Sequence, residues 1–132
     1  MSQSTERSDF AVLHRHQYAN LITFRKSGEA MKTPVWFALR DGKAYVMTTM
    51  NSGKVKRIRN NGRVLIGPAD RGGRPLGPTV DARARLLPPE EVQVAREALD
   101  DKYGLMKALF DFAANVSGTE RAWIEIEPLH EA

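Results

Sequence analysis

Polar and apolar positions change period several times along this chain, and each change marks an element. Over residues 7–16, Phe10, Leu13 and His14 fall on one side of a helical spacing with Ser8 placed to cap it, which predicts a short helix. "YANLITFRK" (18–26) has strand composition, and "SGE" (27–29) reads as a tight turn. "AMKTPVWFAL" (30–39) reads as a second strand. Its Pro34 has no N–H to give a ladder, so it belongs at an edge, at a bulge, or where a ligand approaches the backbone. "RDGK" (40–43) predicts a hairpin turn into a third strand, "AYVMTT" (44–49).

Beyond it, Ser52 is a good N-cap for a short helix whose apolar stripe is Val55 and Ile58, and "NNG" (60–62) supplies residues that tolerate positive φ to end it. "RVLIGPA" (63–69) is a fourth strand and "DRGGRPLGP" (70–78) a turn-rich loop. "TVDARARLL" (79–87) alternates, with Val80, Ala82, Ala84 and Leu86 on one face. Pro88 and Pro89 before Glu90 and Glu91 mark a helix start, which Val92, Ala95, Ala98 and Leu99 continue until Gly104. "LMKALFDFAANV" (105–116) predicts a second helix with a wide apolar face. "RAWIEIEP" (121–128) predicts a last strand, with Glu125 and Glu127 turned to solvent.

The expected fold is therefore mainly β: six antiparallel strands, a short basic helix after the third, and a helical pair before the last. Its 132 residues suit one domain, 1–132. Sheet edges have to be managed, and closure into a small barrel does so.

Composition narrows the chemistry. The absence of cysteine excludes disulfides, thiolate catalysis and cysteine metal sites. No apolar run has bilayer length and the first ten residues are polar, so no membrane association and a cytoplasmic location are expected. The net charge of +4 is unevenly spread. "NSGKVKRIRNNGR" (51–63) holds Lys54, Lys56, Arg57, Arg59 and Arg63 with no acid. Thr48, Thr49 and Ser52 bring hydroxyls to the predicted helix start, Gly53 allows close backbone approach, and the first-turn N–H groups lack internal partners. A phosphate suits such a place, with Lys54 as its countercharge. The bland alternative is a solvated basic helix with a serine cap. Residues 50–70 contain no aromatic to stack on a base, so a nucleic-acid partner is the weaker reading.

"TPVWFALRDGKAYVMTTMNSGKVKRIRNNGRV" followed by "DRGGRPLG" resembles the split β-barrel proteins of the pyridoxamine 5′-phosphate oxidase-like superfamily, and in particular their coenzyme F-420-dependent branch. The resemblance runs from about Tyr18 to Glu127. It implies a six-stranded antiparallel split barrel of the FMN-binding type, and a homodimer with two cofactor sites at the subunit interface. It also implies coenzyme F-420 as the cofactor, with FMN as the alternative, and a small redox substrate as the partner. By the same resemblance, Thr48, Ser52 and Lys54, with Thr49 and Gly53 beside them, hold the cofactor phosphate. The backbone of Thr33, Pro34 and Val35 lines the ring edge. Arg57, and less directly Lys56, lies near the phosphate or an acidic tail, with Arg71 and Arg74 as further candidates.

Two departures separate the chain from the oxidases that make pyridoxal phosphate. Gly53 stands where those enzymes place an arginine, and their C-terminal tryptophan and arginine have no counterpart before Ala132. In a redox enzyme of this kind the cofactor carries the hydride, so no catalytic side chain need be visible, though Tyr45 is a candidate proton source. His14, His16 and His130 are read as surface or packing residues, with no metal site. Trp36 and Trp123 are read as core or interface, and Met47, Met50 and Met106 as packing.

Overall fold

In the computed structural model, which describes residues 9–104 and 120–129, the alternating segments form seven strands. These are β1 (Tyr18–Phe24), β2 (Ala30–Trp36), β3 (Ala38–Arg40), β4 (Lys43–Thr49), β5 (Arg63–Ala69), β6 (Val80–Leu86) and β7 (Arg121–Pro128). Two helices interrupt them, α1 (Gly53–Asn60) and α2 (Val92–Tyr103). All pairings are antiparallel, in the order β2-β1-β5-β6-β7-β4-β3.

The seventh strand arises because the run 30–39, expected as one strand, divides at Phe37. Trp36 still pairs with Tyr18 on β1, whereas Ala38 already pairs with Tyr45 on β4. β2 and β3 therefore stand at opposite edges of the sheet with one residue between them, and the sheet must curl to bring those edges together. No ladder among the described residues joins β2 to β3 or β4. The closed barrel expected from the strand pattern is thus corrected to a split one, open along this seam. An edge position also explains how β2 accommodates Pro34.

Phe37 leaves its N–H and C=O outside the ladder, and α2 satisfies both. The Phe37 N–H donates to the Tyr103 hydroxyl at 2.9 Å, and that hydroxyl lies 2.6 Å from the Phe37 carbonyl oxygen and 2.7 Å from that of Gln17. Lys102 Nζ donates to the same Phe37 carbonyl at 2.8 Å and to that of His16 at 2.6 Å. Pairing buried backbone groups in this way avoids a penalty of about 1–3 kcal/mol for each one left unmade.

Two apolar clusters sandwich the sheet. Leu21, Phe37, Val46, Ile66, Ile124 and Ile126 fill the barrel interior, joined by Phe10 and Leu13. On the outer face Ala95, Ala98, Leu99 and Tyr103 of α2 pack on Ala38, Tyr45 and Trp123. β6 alternates as expected, with Val80, Ala82 and Ala84 buried. The hairpin at 40–43 turns on Asp41 (φ 54°) and Gly42 (φ 79°), the pair of positive φ angles that a tight two-residue turn needs.

Three local expectations are revised. The helix over 7–16 reduces to a single 3-10 turn, Ala11–Leu13, with Asp9 accepting from the Ala11 N–H at 2.9 Å. Arg15, at φ 69°, prevents its continuation. The end of α1 uses no positive φ, since Asn61 is extended (φ −152°) and its N–H closes on the Arg57 carbonyl. Glu125 is buried rather than solvent-facing, and only Glu127 points outward. Ser8, the predicted helix 105–116 with Met106, and His130 lie outside the described residues.

Candidate functional site

At the split, where β2 and β4 diverge, lies a cavity of about 310 Å³. β2 contributes Pro34, Val35 and Trp36 to its wall, β4 contributes Met47 and Thr48, and α1 contributes Lys54. Tyr18 of β1, Arg71 from the loop after β5, and Leu99 and Tyr103 of α2 complete it.

α1 starts here because Ser52, extended at φ −75° and ψ 155°, accepts the Val55 N–H on its hydroxyl at 3.4 Å. Val55 and Ile58 are buried and seat the helix, which leaves Lys54 on the cavity side. Lys54 is half-buried. Burial, and then the neighbouring Arg57 charge, hold its pKa below the ordinary lysine value. No carboxylate among the described residues forms a salt bridge with Lys54 or Arg57, neither of which appears in any of the ion pairs of the fold.

Arg57 explains the glycine before Lys54. Its Nε donates to the Thr23 hydroxyl at 2.6 Å, tying α1 to β1, and its guanidinium folds back over the helix start. A Cβ at position 53 would lie 2.7 Å from Arg57 Nη1. Gly53 thus leaves room for a guanidinium that arrives from one helical turn later.

The loop after β5 is held just as firmly. Asp70 Oδ1 accepts the N–H groups of Gly72 at 3.0 Å and Arg74 at 2.8 Å. The Arg74 N–H is the main reason its carboxyl titrates below the usual range. The Gly73 carbonyl receives Asn20 Nδ2 at 2.8 Å and Lys32 Nζ at 3.3 Å. Arg74 turns to Asp70, while Arg71 is left at the cavity. Asn20 Oδ1 is the buried side-chain polar atom without a partner among the described residues; it sits beside Gly73, which the Pro34 ring also approaches.

No protein-family model matches the sequence, and no curated protein matches it. Solved structures do match. The protein Atu2129 from Agrobacterium tumefaciens aligns over 97% of this chain with a TM-score of 0.70 and 18% identity; this chain spans 54% of it, about half its length. A proposed pyridoxamine 5′-phosphate oxidase from Listeria innocua aligns over 90% of this chain and 89% of its own, with a TM-score of 0.57 and 18% identity. An F420 reductase aligns over 90% and 91%, with a TM-score of 0.56 and 21% identity.

The fold is a split β-barrel, shared with these solved structures.

Within this split barrel, the residues named from sequence separate into groups. Pro34, Val35, Thr48 and Lys54 line one cavity although they come from three elements. Thr33 and Thr49 are adjacent in their strands but are not among the lining residues, and Ser52, Gly53 and Arg57 shape the helix start behind Lys54. Lys56 is exposed, and Arg59 reaches Met50 Sδ at 3.6 Å. Tyr45 is placed elsewhere: buried against α2, it donates to Glu125 Oε2 at 3.1 Å, and burial followed by the Glu125 charge pushes its pKa up to about 12. It does not line the cavity, so the suggested proton role is withdrawn. Glu125 also takes Arg85 Nε at 2.9 Å, making a buried carboxylate that is structurally paired. Among the described residues no group of three or more His, Cys, Asp or Glu side chains is gathered to hold a metal.

Sequence reasoning missed Tyr18, Leu99 and Tyr103 as lining residues, read Trp36 as core or interface next to the ring-edge segment, and took Met47 for packing. Tyr103 carried a signal, since it falls four residues after Leu99 and so continues the apolar stripe of α2. Nothing local could have told that this stripe ends at the seam.

Proposed function

We propose that this chain binds a flavin-type cofactor by its phosphate and acts as an oxidoreductase, with coenzyme F-420 as the preferred cofactor and FMN as the alternative. One observation carries the reading: Lys54 and Arg57 converge at the start of α1 with no carboxylate ion pair among the described residues, and Lys54 opens into the cavity beside the donor-less edge at Pro34. Two cations left together are stabilised by an anion. The donor set fits a phosphate, with the Lys54 ammonium, the Thr48 hydroxyl and the α1 N-terminus close to one another along the chain. The fold shared with an F420 reductase supports the same reading.

When bound, the cofactor would supply a hydride for a conjugated acceptor. The chain's own contribution is binding and orientation. Lys54 and Arg57 hold the phosphate end, Thr33, Pro34 and Val35 offer a backbone edge to the ring, and Arg71 stands ready for a further acidic group. The space that an arginine at position 53 would enter is filled by the Arg57 guanidinium, so a cation reaches the helix start by another route. The cavity lies at the open edge of the sheet, and we propose that a second copy covers it in a homodimer with the cofactor between subunits.

Fluorescence titration with coenzyme F-420 and, separately, FMN tests the reading. Micromolar saturation by either supports it; binding of neither removes it. Turnover of reduced coenzyme F-420 with an acceptor then separates an enzyme from a protein that only carries the cofactor.

A further inference from the structure

A second cavity, of about 320 Å³, lies across the Phe37 joint from the first. The two share no lining residue, yet they divide three neighbouring pairs between them. Trp36, Leu99 and Tyr103 line the first, and Phe37, Ala98 and Lys102 line the second. The joint and the last turns of α2 are therefore the wall between the cavities. On one side of it Tyr103 stacks on Trp36, with ring centroids 4.7 Å apart. On the other, Lys102 carries its Nζ 3.5 Å over the Phe37 ring. That Nζ donates to the His16 and Phe37 carbonyls. An ammonium has three N–H groups, so one remains beyond these two acceptors.

The lining divides by polarity. Leu13, Phe37, Leu39 and Ala98 give the second cavity an apolar side, and of these Leu39 is the one only partly buried. Its polar groups are His14, Arg15, Arg40, Asp101 and Lys102. Arg40 pairs with Asp101 at 2.5 Å and with Glu97 at 3.3 Å, which leaves that cluster with one negative charge. Neither Lys102 nor Arg15 takes part in a salt bridge among the described residues. Together they outweigh the cluster by a single positive charge, the amount that one carboxylate neutralises. A bare anion leaves the apolar side unused, and a neutral apolar molecule leaves the two cations unpaired. We propose that this cavity binds a small monocarboxylate with an apolar tail, its carboxylate at Lys102 and Arg15 and its tail on Leu39. The site stands apart from the cofactor reading, since it uses none of the residues assigned there.

Titration of isotopically labelled protein, followed by backbone amide shifts, tests the site with hexanoate, hexanol and acetate. Hexanoate is expected to saturate, with its largest shifts at Arg15, Leu39 and Ala98. It should bind at least about tenfold more tightly than hexanol, which lacks the charge, or acetate, which lacks the tail. Lys102→Met should weaken hexanoate about tenfold. Arg15→Gln, a change at an exposed position, should weaken it about threefold. Equal affinity for hexanol and hexanoate overturns the proposal by showing a crevice with no preference for an anion. Absence of saturation overturns it too, as do largest shifts at Thr48 and Lys54, which would assign the carboxylate to the first cavity. Should Lys102→Met fail to fold, Arg15→Gln decides, and unchanged hexanoate affinity there overturns the site. Where FMN binds, hexanoate shifts should persist at saturating FMN, and displacement of one by the other contradicts two separate cavities. Where FMN does not bind, the cofactor reading fails and the three-probe comparison still decides this site.

Discussion

At the scale of single residues, Lys54 is half-buried beside the Arg57 charge and forms no salt bridge among the described residues. Lys54→Ala should weaken FMN or coenzyme F-420 by about 1–3 kcal/mol, the range for a charge-assisted hydrogen bond. Arg83→Ala, an exposed change on β6, should leave affinity unaltered. An equal loss from both would mean a diffuse basic surface instead of a pocket. The depressed Lys54 pKa sets a pH dependence. A bound phosphate favours the charged ammonium, so affinity is fully present at low pH and falls as pH rises through the free-state pKa, below the ordinary 10.5. Arg57 contributes to that depression, so Arg57→Gln should move the fall to higher pH even as it weakens binding. Affinity measured across pH 7 to 10 in both proteins checks the sign.

At the scale of elements, α2 is the clamp on the split. Tyr103→Phe preserves the stack but leaves the buried Phe37 N–H unpartnered, and should cost about 1–3 kcal/mol in urea unfolding. Beside it, Lys102 carries an ammonium 3.5 Å over the Phe37 ring, and burial lowers its pKa to about 8. The unfolded chain then holds the proton to higher pH than the folded one. Stability relative to Lys102→Met should therefore rise between about pH 8 and 10.5 and stay flat below, as followed by thermal unfolding. This clamp is also where sequence reading stopped. The hydrophobic run 30–39 has no local mark at Phe37, because the break depends on which strands lie at the two edges. Pro34 did carry a mark, and its expected edge position is where β2 lies. The capped helix from Ser52 and the alternation of β6 were legible for the same reason: each is set by neighbours in sequence. Glu125 was misread because period-2 spacing puts it on a face with Glu127 but says nothing of α2 and Arg85, whose positions decide its burial.

At the scale of the whole molecule, the split barrel brings residues 18, 34, 48, 54, 71 and 103 to one cavity. Thr48 and Lys54 were readable from spacing and Arg71 from the family resemblance, whereas Tyr18 and Tyr103 required the fold. A homodimer closing over this face should be seen by analytical ultracentrifugation, and a cofactor-loaded monomer would contradict the shared-site arrangement. The central claim is that a phosphate settles where α1 begins. Its most direct test compares FMN with riboflavin, which shares the ring and lacks the phosphate, on the parent and on Lys54→Ala. The account predicts that FMN binds the parent at least about tenfold more tightly and that Lys54→Ala removes most of the difference. Equal affinity of the parent for the two ligands, or a preference for FMN that survives in Lys54→Ala, would contradict it.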